Sequence, residues 1–477
     1  MSEPSLAQQL AATASATLAQ GAPATVRESA RRRVLDIVGL QAAALPLPTS
    51  AAALRYVDAQ GGHAQASMVG TTSRTSAGWA AFLGGVLAHS LDYDDTHLPS
   101  VLHPSASVVP AALAAGEVAG AAGPQVLDAI AIGIETVVRV GMAGYDREAG
   151  DSIFFVHGQH ATSICGALGA AVAAALLRGL DEEQVTHTIG VAASMASGII
   201  EANRTGGTVK RMHCGWAAHA GVTAAGLVEA GFTGPPTVLE GRFGFFEAFL
   251  HGAVHLEAVT DGLGETWSVP DIFFKPYPAN HFTHTGLDAA RRLREQGLRP
   301  EDVEEAVLGV AASTVRTIGE PLEVKQRPET GYQAQFSGPY LVALGLLGGH
   351  GLGAGLSDFE DEVVTRDEVR ALMARVRVEA DPRCDAIYPA QFPAVLRVTT
   401  RDGRRLEEQV LVNRGGPEDP LTDAELRTKF RDNVERCFDA RAAAATEAAV
   451  AGLADGTTGP REVLAHLRHP AVNVGRP

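Results

Sequence analysis

Over the first 270 residues, long apolar stretches dense in Ala and Gly alternate with short polar interruptions, a helical pattern. From Pro4 to about Ala44 the chain reads as mostly helical, with a charged run (Arg27 to Arg31) ahead of Val34, Ile37, Val38 and Leu40. Pro46, Pro48 and Ser50 break the pattern, and a second helix is predicted from Ala51 to Gln60. Gly70 to Ser76 reads as a loop, and Ala77 to Leu87 as a helix that runs into a polar segment. Residues 109–145 predict two Ala/Gly-rich helices separated by Gly123-Pro124. The longest apolar run, Ser163 to Leu177, ends at Arg178 and reads as a buried helix. Glu182 to Ala196 is another helix, Gly198 to Gly207 a loop, and Thr208 opens an amphipathic helix that closes near Gly231. Small residues at this density let helices approach closely, so a tight helical core is expected.

After Trp267 the pattern changes. Phe273 to His284 carries Pro276 and Pro278 and starts as extended chain or turn. A helix follows from Gly286 to about Gln296. Val303 to Val315, Arg375 to Glu379 and Ala394 to Thr400 alternate as strands. Asp402-Gly403 then gives a hairpin signal, with Leu406 to Val412 as the returning strand. Thr422-Asp-Ala-Glu425 is a capping box, and Ala-rich helix continues to His466. The order is helical, mixed, then helical. It predicts a mainly α protein: a large all-α domain of residues 1–268 plus 413–477, with a smaller α+β domain of residues 269–412 inserted.

Composition fits that picture. A chain of 477 residues, 46% hydrophobic and 20% charged, is long enough for two domains with sizeable cores. The net charge of −16 argues against nucleic acid and anionic membrane as partners. An anionic substrate must then be drawn by a local cationic pocket. The N-terminal segment lacks the pattern of a signal peptide, and Ser163 to Leu177 is too short to span a bilayer. Four scattered cysteines without a C-x-x-C pair fit reduced thiols in a cytoplasm.

The densest chemistry lies between residues 89 and 110, where Asp92, Asp94, Asp95, Thr96, His89, His97 and His103 fall between two apolar stretches. Such a polar knot is where a scaffold can hold reacting groups still. Helix capping explains one Asp there, but not the His103-Pro104-Ser105 that follows. The i,i+3 pairs His157/His160 and His281/His284 raise the question of a metal, yet neither has the H-E-x-x-H form, so no metal is expected. Gly348 to Gly355 is glycine-rich without a dinucleotide or phosphate-loop pattern, and no G-x-S-x-G elbow occurs. Acid–base chemistry on an anion remains. Lys210 and Lys275 are candidates for a substrate carboxylate or developing enolate, His103 and His160 for proton exchange, and Asp92 for orienting one of those rings.

At these residues the chain resembles the MmgE/PrpD family, which includes 2-methylcitrate dehydratase, cis-aconitate decarboxylase and iminodisuccinate epimerase. The resemblance runs through His89-Ser-Leu-Asp92-Tyr-Asp-Asp-Thr96, His103-Pro-Ser105, His160-Ala-Thr162, Gly166-Ala-Leu-Gly-Ala, Lys210-Arg-Met-His213, Lys275-Pro-Tyr-Pro278 and Arg327-Pro-Glu-Thr-Gly-Tyr332. It implies a mostly helical large domain, a smaller α+β lid domain, a homodimer and no cofactor. The site positions it implies are Asp92, Thr96, His103, His160, Lys210, Lys275 and a residue near 280. In the decarboxylases a histidine stands at the position aligned with Asn280, whereas here the imidazoles are the neighbouring His281 and His284. Ala161 stands where many relatives have proline. These departures weigh against a decarboxylase and leave the substrate open.

The expectation is therefore a lyase that eliminates water from a hydroxy acid or β-hydroxy carbonyl compound. His103, His160, Lys210 and Asp92 carry the chemistry; Thr96, Lys275, Asn280, His281 and His284 bind the substrate. An iminodisuccinate-type epimerase, a dehydratase/cyclase of specialised metabolism and a non-catalytic binding protein are the alternatives.

Overall fold

The computed structural model describes residues 3–202 and 206–469, so residues 203–205 of the loop expected at Gly198 to Gly207 lie outside the described residues. The chain forms two compact units: Met1–Ile272 with Asn433–Pro477, and Phe273–Asp432.

In the first unit the apolar runs up to residue 230 become the helices α1 (Leu6–Gln20), α2 (Ala24–Ala43), α3 (Pro48–Gln60), α4 (Ala77–His89), α5 (Ser105–Ala119), α6 (Gly123–Ala143), α7 (Ala161–Leu177), α8 (Glu182–Met195) and α9 (Lys210–Glu229), and the returning C-terminal segment adds Ala440–Gly452. The single stretch expected from Pro4 to Ala44 divides because Gly21 takes a positive φ of 84° and Pro23 starts the next helix. Helix α5 begins at Ser105, earlier than residue 109, and accommodates Pro110 within it. Every residue of α7 is buried, and α5, α6, α8 and α9 pack around it. That helix is the centre of the unit, which its composition of Ala, Gly, Leu, Ile and Val with few polar atoms permits. Two short ladders, Ala66–Ser67 with Arg74–Thr75 and Tyr145–Asp146 with Asp151–Ser152, are the strands of this otherwise helical unit.

Helices α4 and α9 meet through glycine. A Cβ on Gly85 would lie 2.6 Å from the Cys214 carbonyl oxygen, and one on Gly215 would lie 2.4 Å from that of Phe82. The two backbones touch because neither residue has a side chain there.

The second unit holds a four-stranded sheet in the order β2-β1-β3-β4, with β1 Val303–Val310, β2 Val376–Ala380, β3 Ala394–Thr400 and β4 Arg405–Val410. Strands β1 and β2 are parallel, and the other pairs antiparallel. Helices α10 (His284–Glu295) and α11 (Gly338–Leu347) pack together and, with the sheet, bury Leu287, Leu308, Tyr340, Leu341 and Leu396. The strand expected through Val315 stops at Val310, and residues from Ala312 to Ile318 turn helical. The Asp402-Gly403 hairpin forms, with Gly403 at φ 84°.

The division falls after residues 272 and 432, where the sequence placed it after 268 and 412. Residues 413–432 stay with the sheet for a reason visible in the contacts. Asn413 brackets residues 391–392, its side chain accepting from the Phe392 amide at 2.7 Å, while Arg414 reaches the Tyr277 hydroxyl at 2.9 Å and pairs with Glu425. Among the described residues no single helix is long and apolar enough to cross a membrane.

Candidate active site

In the first unit, four helix ends converge. His89 is the last residue of α4, His103 precedes α5, His160 occupies the N-cap position of α7, and Lys210 and His213 lie in the first turn of α9. The rings of His89 and His103 are 5.3 Å apart, those of His89 and His160 5.7 Å, and those of His160 and His213 4.8 Å. Three of the four ends are N-termini, whose free amides and dipoles favour negative charge nearby.

The loop between α4 and α5 sets the geometry. Asp92 and Val101 both adopt positive φ, 52° and 53°, a conformation that costs a β-branched residue such as Val101 and marks a backbone held by its surroundings. The carboxylate of Asp95 accepts from Arg33 of α2 at 2.8 Å, from the Ser105 amide at 3.2 Å and from the Ser105 hydroxyl. Arg33 is fully buried and also donates to the carbonyls of Val269 and Ile272. The main-chain carbonyl of Asp95 faces His103 Nδ1 at 2.6 Å. A carbonyl only accepts, so His103 carries its proton on Nδ1, and in the neutral ring Nε2 holds the lone pair. Thr96 Oγ1 lies 3.4 Å and Asp94 Oδ2 3.9 Å from the same nitrogen.

His103 Nδ1 thus has the Asp95 carbonyl and the Asp94 carboxylate near it, and the Asp92 carboxylate stands 3.3 Å from Lys210 Nζ. His103, His160 and Thr96 are buried, and Lys210 and Asp92 are partly open to solvent.

Charge is divided unevenly among the rings. Burial works against protonation of His89, but the Asp94 carboxylate at 2.8 Å and Cys214 together raise the ring to about 10. His160 is held well below its ordinary value of 6.5 by burial and then by His89, His213, Lys210 and His103. Burial, His89 and Lys210 likewise bring His213 down to about 4. The resting site thus pairs one imidazolium, locked to its carboxylate, with two neutral imidazoles. His97 is held near 4 by burial and the Arg33 charge, its Nδ1 at 2.6 Å from Ser100 Oγ, and shapes the loop.

The remaining expected residues belong to the second unit. Lys275 is buried. Asn280 caps a short 3-10 turn, its side chain accepting from the Phe282 amide at 3.0 Å. His281 and His284 are buried with rings 4.7 Å apart, and His284 Nε2 donates to the Ala279 carbonyl at 3.1 Å, the contact of a ring that helps hold its own turn. His157 turns away from His160 to lie against His251 and the Phe249 carbonyl. Among the described residues no group of three or more His, Cys, Asp or Glu side chains is placed to hold a metal ion.

Buried imidazoles of opposed charge preference, gathered beside a lysine at helix ends, make this cluster the candidate site of the chain. The chain belongs to the MmgE/PrpD family: the MmgE/PrpD N-terminal domain matches residues 8–257 and the MmgE/PrpD C-terminal domain residues 277–455. Cis-aconitate decarboxylase of Mus musculus is 29% identical over 375 residues, covering 75% of this chain and 72% of the mouse protein. A cis-aconitate decarboxylase-like protein, oryM, of Aspergillus oryzae is 26% identical over 437 residues, 87% of this chain and 88% of its own. Cis-aconitate decarboxylase of Aspergillus terreus is 28% identical over 373 residues, covering 74% and 73%.

Proposed function

We propose that this enzyme is a lyase that eliminates water from a small hydroxy acid by proton abstraction next to a carboxylate. The observation that carries the reading is the gathering of the rings: His160 and His213 lie buried with Nδ1 atoms 3.0 Å apart, where burial and the nearby His89 and Lys210 favour their neutral forms, and His103 Nδ1 faces the Asp95 carbonyl, so that in its neutral form Nε2 holds the lone pair. A site resting in this state is poised to take a proton from carbon before it gives one. In this reading a neutral ring, His103 or His160, removes the proton α to the carboxylate. Lys210, already paired with the Asp92 carboxylate, turns its charge to the substrate carboxylate and the enolate-like charge, a contribution of about 3 kcal/mol per donor. The ring that took the proton then gives it to the departing hydroxyl as the carbon–oxygen bond breaks, so that water leaves and the alkene forms, with Thr96 Oγ1 3.4 Å from His103 Nδ1.

A second reading is supported by the relatives named cis-aconitate decarboxylase, which match over 72% to 88% of their length. Decarboxylation of an unsaturated tricarboxylate needs a proton delivered to the alkene carbon as carbon dioxide leaves. That demands an acid at the start. One set of assays separates the outcomes: 2-methylcitrate, citrate and cis-aconitate, each followed by ultraviolet absorbance, carbon dioxide release and deuterium uptake from heavy water. Gain of alkene absorbance from a hydroxy acid supports the dehydratase; carbon dioxide from cis-aconitate replaces it with the decarboxylase; exchange without loss of water or carbon dioxide indicates an epimerase. In each case His103→Ala is expected to lower turnover by roughly 100-fold or more while the protein stays folded.

A further inference from the structure

His213 stands outside the reaction as derived so far, yet its Nδ1 lies 3.0 Å from Nδ1 of His160, and both rings are buried. Two imidazole nitrogens at that distance share one proton, because two lone pairs would repel and two N–H groups would clash. One ring therefore carries its proton on Nδ1, and the other, when neutral, on Nε2. Helix geometry fixes the contact. His160 is held where α7 starts, its amide bonded to the Gly198 carbonyl. His213 sits one turn into α9, and its carbonyl accepts from the Ser163 hydroxyl at 3.1 Å, which ties the two helix starts together. The charged or titratable groups facing His160 are His89 from α4, His103 ahead of α5, and Lys210 with His213 from α9.

We infer that His160 and His213 form a two-ring proton relay, in which His213 receives the Nδ1 proton of His160 as His160 Nε2 takes a proton from the substrate. The inference rests on the acid–base reading of this site. The balance is simple. At rest His160 is protonated on Nδ1 and His213 on Nε2, and both rings are neutral. The substrate C–H bond breaks toward His160 Nε2, and the electron pair stays on carbon as the enolate-like anion. The Nδ1 proton of His160 passes to Nδ1 of His213. His160 ends neutral with its tautomer reversed, His213 ends as an imidazolium, and the positive charge sits one ring away from the carbanion. That separation delays return of the proton to the carbon it left, and the new substrate charge favours the imidazolium that the resting site disfavours.

Two measurements decide the matter. Nitrogen NMR of the full-length protein labelled with [15N]histidine, without substrate, is expected to show His160 in the Nδ1–H tautomer and His213 in the Nε2–H tautomer. A nitrogen–nitrogen coupling should join them and vanish in His213→Asn. Two rings both in the Nε2–H form, or the reverse assignment with His213 on Nδ1 and His160 on Nε2, overturn the relay, whatever the enzyme turns over. In the activity arm, His213→Asn is informative because the amide oxygen can hold the His160 Nδ1–H but cannot take the proton. Loss of roughly 100-fold in kcat with KM little changed supports the relay. A variant that keeps more than half of the wild-type kcat shows that His213 only positions His160, and overturns it. Failure of all three substrates in the wild type counts against the proposed reaction, and the NMR arm still decides the relay.

Discussion

The pair His89–Asp94 has a signature in pH. An imidazole raised from 6.5 to about 10 on folding contributes its full stabilisation below pH 6.5 and loses it as the pH rises through about 10. His89→Gln is therefore expected to cost on the order of 3 kcal/mol near pH 6, the usual cost of leaving one member of a buried pair alone. The cost should shrink steadily toward pH 10, as denaturant midpoints measured at several pH values will show; a pH-independent difference would refute the ion pair. The neighbouring rings predict the opposite sense for activity. With His213 near 4 and His160 also far below 6.5, kcat/KM should stay level on acidification to about pH 5, where an ordinary imidazole base would already have lost most of its activity. A pH–rate profile checks this. Of the candidate residues named from the sequence, His103, His160, Lys210, Asp92 and Thr96 lie at or beside the converging helix ends. Arg33 was not legible in the sequence, because it lies 62 residues from Asp95 and reads as one more charge in a polar run. His213 stood in plain view beside Lys210, but only the fold shows which ring it meets.

Among the elements, the meeting of α4 and α9 is the contact on which the site depends. The same two helices carry His89 at one end and Lys210 with His213 at the other. In Gly85→Ala the new methyl has the Cys214 carbonyl oxygen at 2.6 Å and the Gly215 Cα at 2.7 Å, both main chain. Backbone has little room to yield, so a loss of about 1–3 kcal/mol is expected, the cost of overpacking. The displacement should also lower kcat in protein that remains folded; thermal melts and turnover on the same sample test the pair of effects. A melt and rate equal to wild type would show that the helices have slack. Helix positions were readable from the sequence because Ala/Gly runs and Pro breaks are local. The start of α5 at Ser105 and the end of β1 at Val310 were not, since each depends on what the next residues pack against.

At the scale of the whole molecule, the second unit is one continuous piece of chain with its own core, from Tyr277 and Leu287 through the sheet to Val410. A fragment of residues 273–434, extended to the end of the helix Asp423–Val434, is expected to fold alone with a cooperative melt. Circular dichroism and a dispersed amide NMR spectrum would establish it, and a broad, non-cooperative transition would show that the unit needs the rest of the chain. A fragment cut at residue 412 should fare worse, since it lacks Asn413 and Arg414. The helical–mixed–helical order was visible in the sequence. The place of residues 413–432 was hidden by distance: Arg414 meets a tyrosine 137 positions earlier.

Asp95 serves the site twice, by carboxylate and by main-chain carbonyl, and the two services differ in what mutation can do to them. The carboxylate can be lost in a single codon change, and with it the grip of Arg33 and Ser105. The carbonyl that fixes the proton on His103 cannot, because every amino acid supplies one. The tautomer of His103 is thus inherited from the path of the chain, not from the identity of a residue. In a lineage that changes its substrate by exchanging side chains around the site, this part of the chemistry is carried along unaltered for as long as the loop keeps its course.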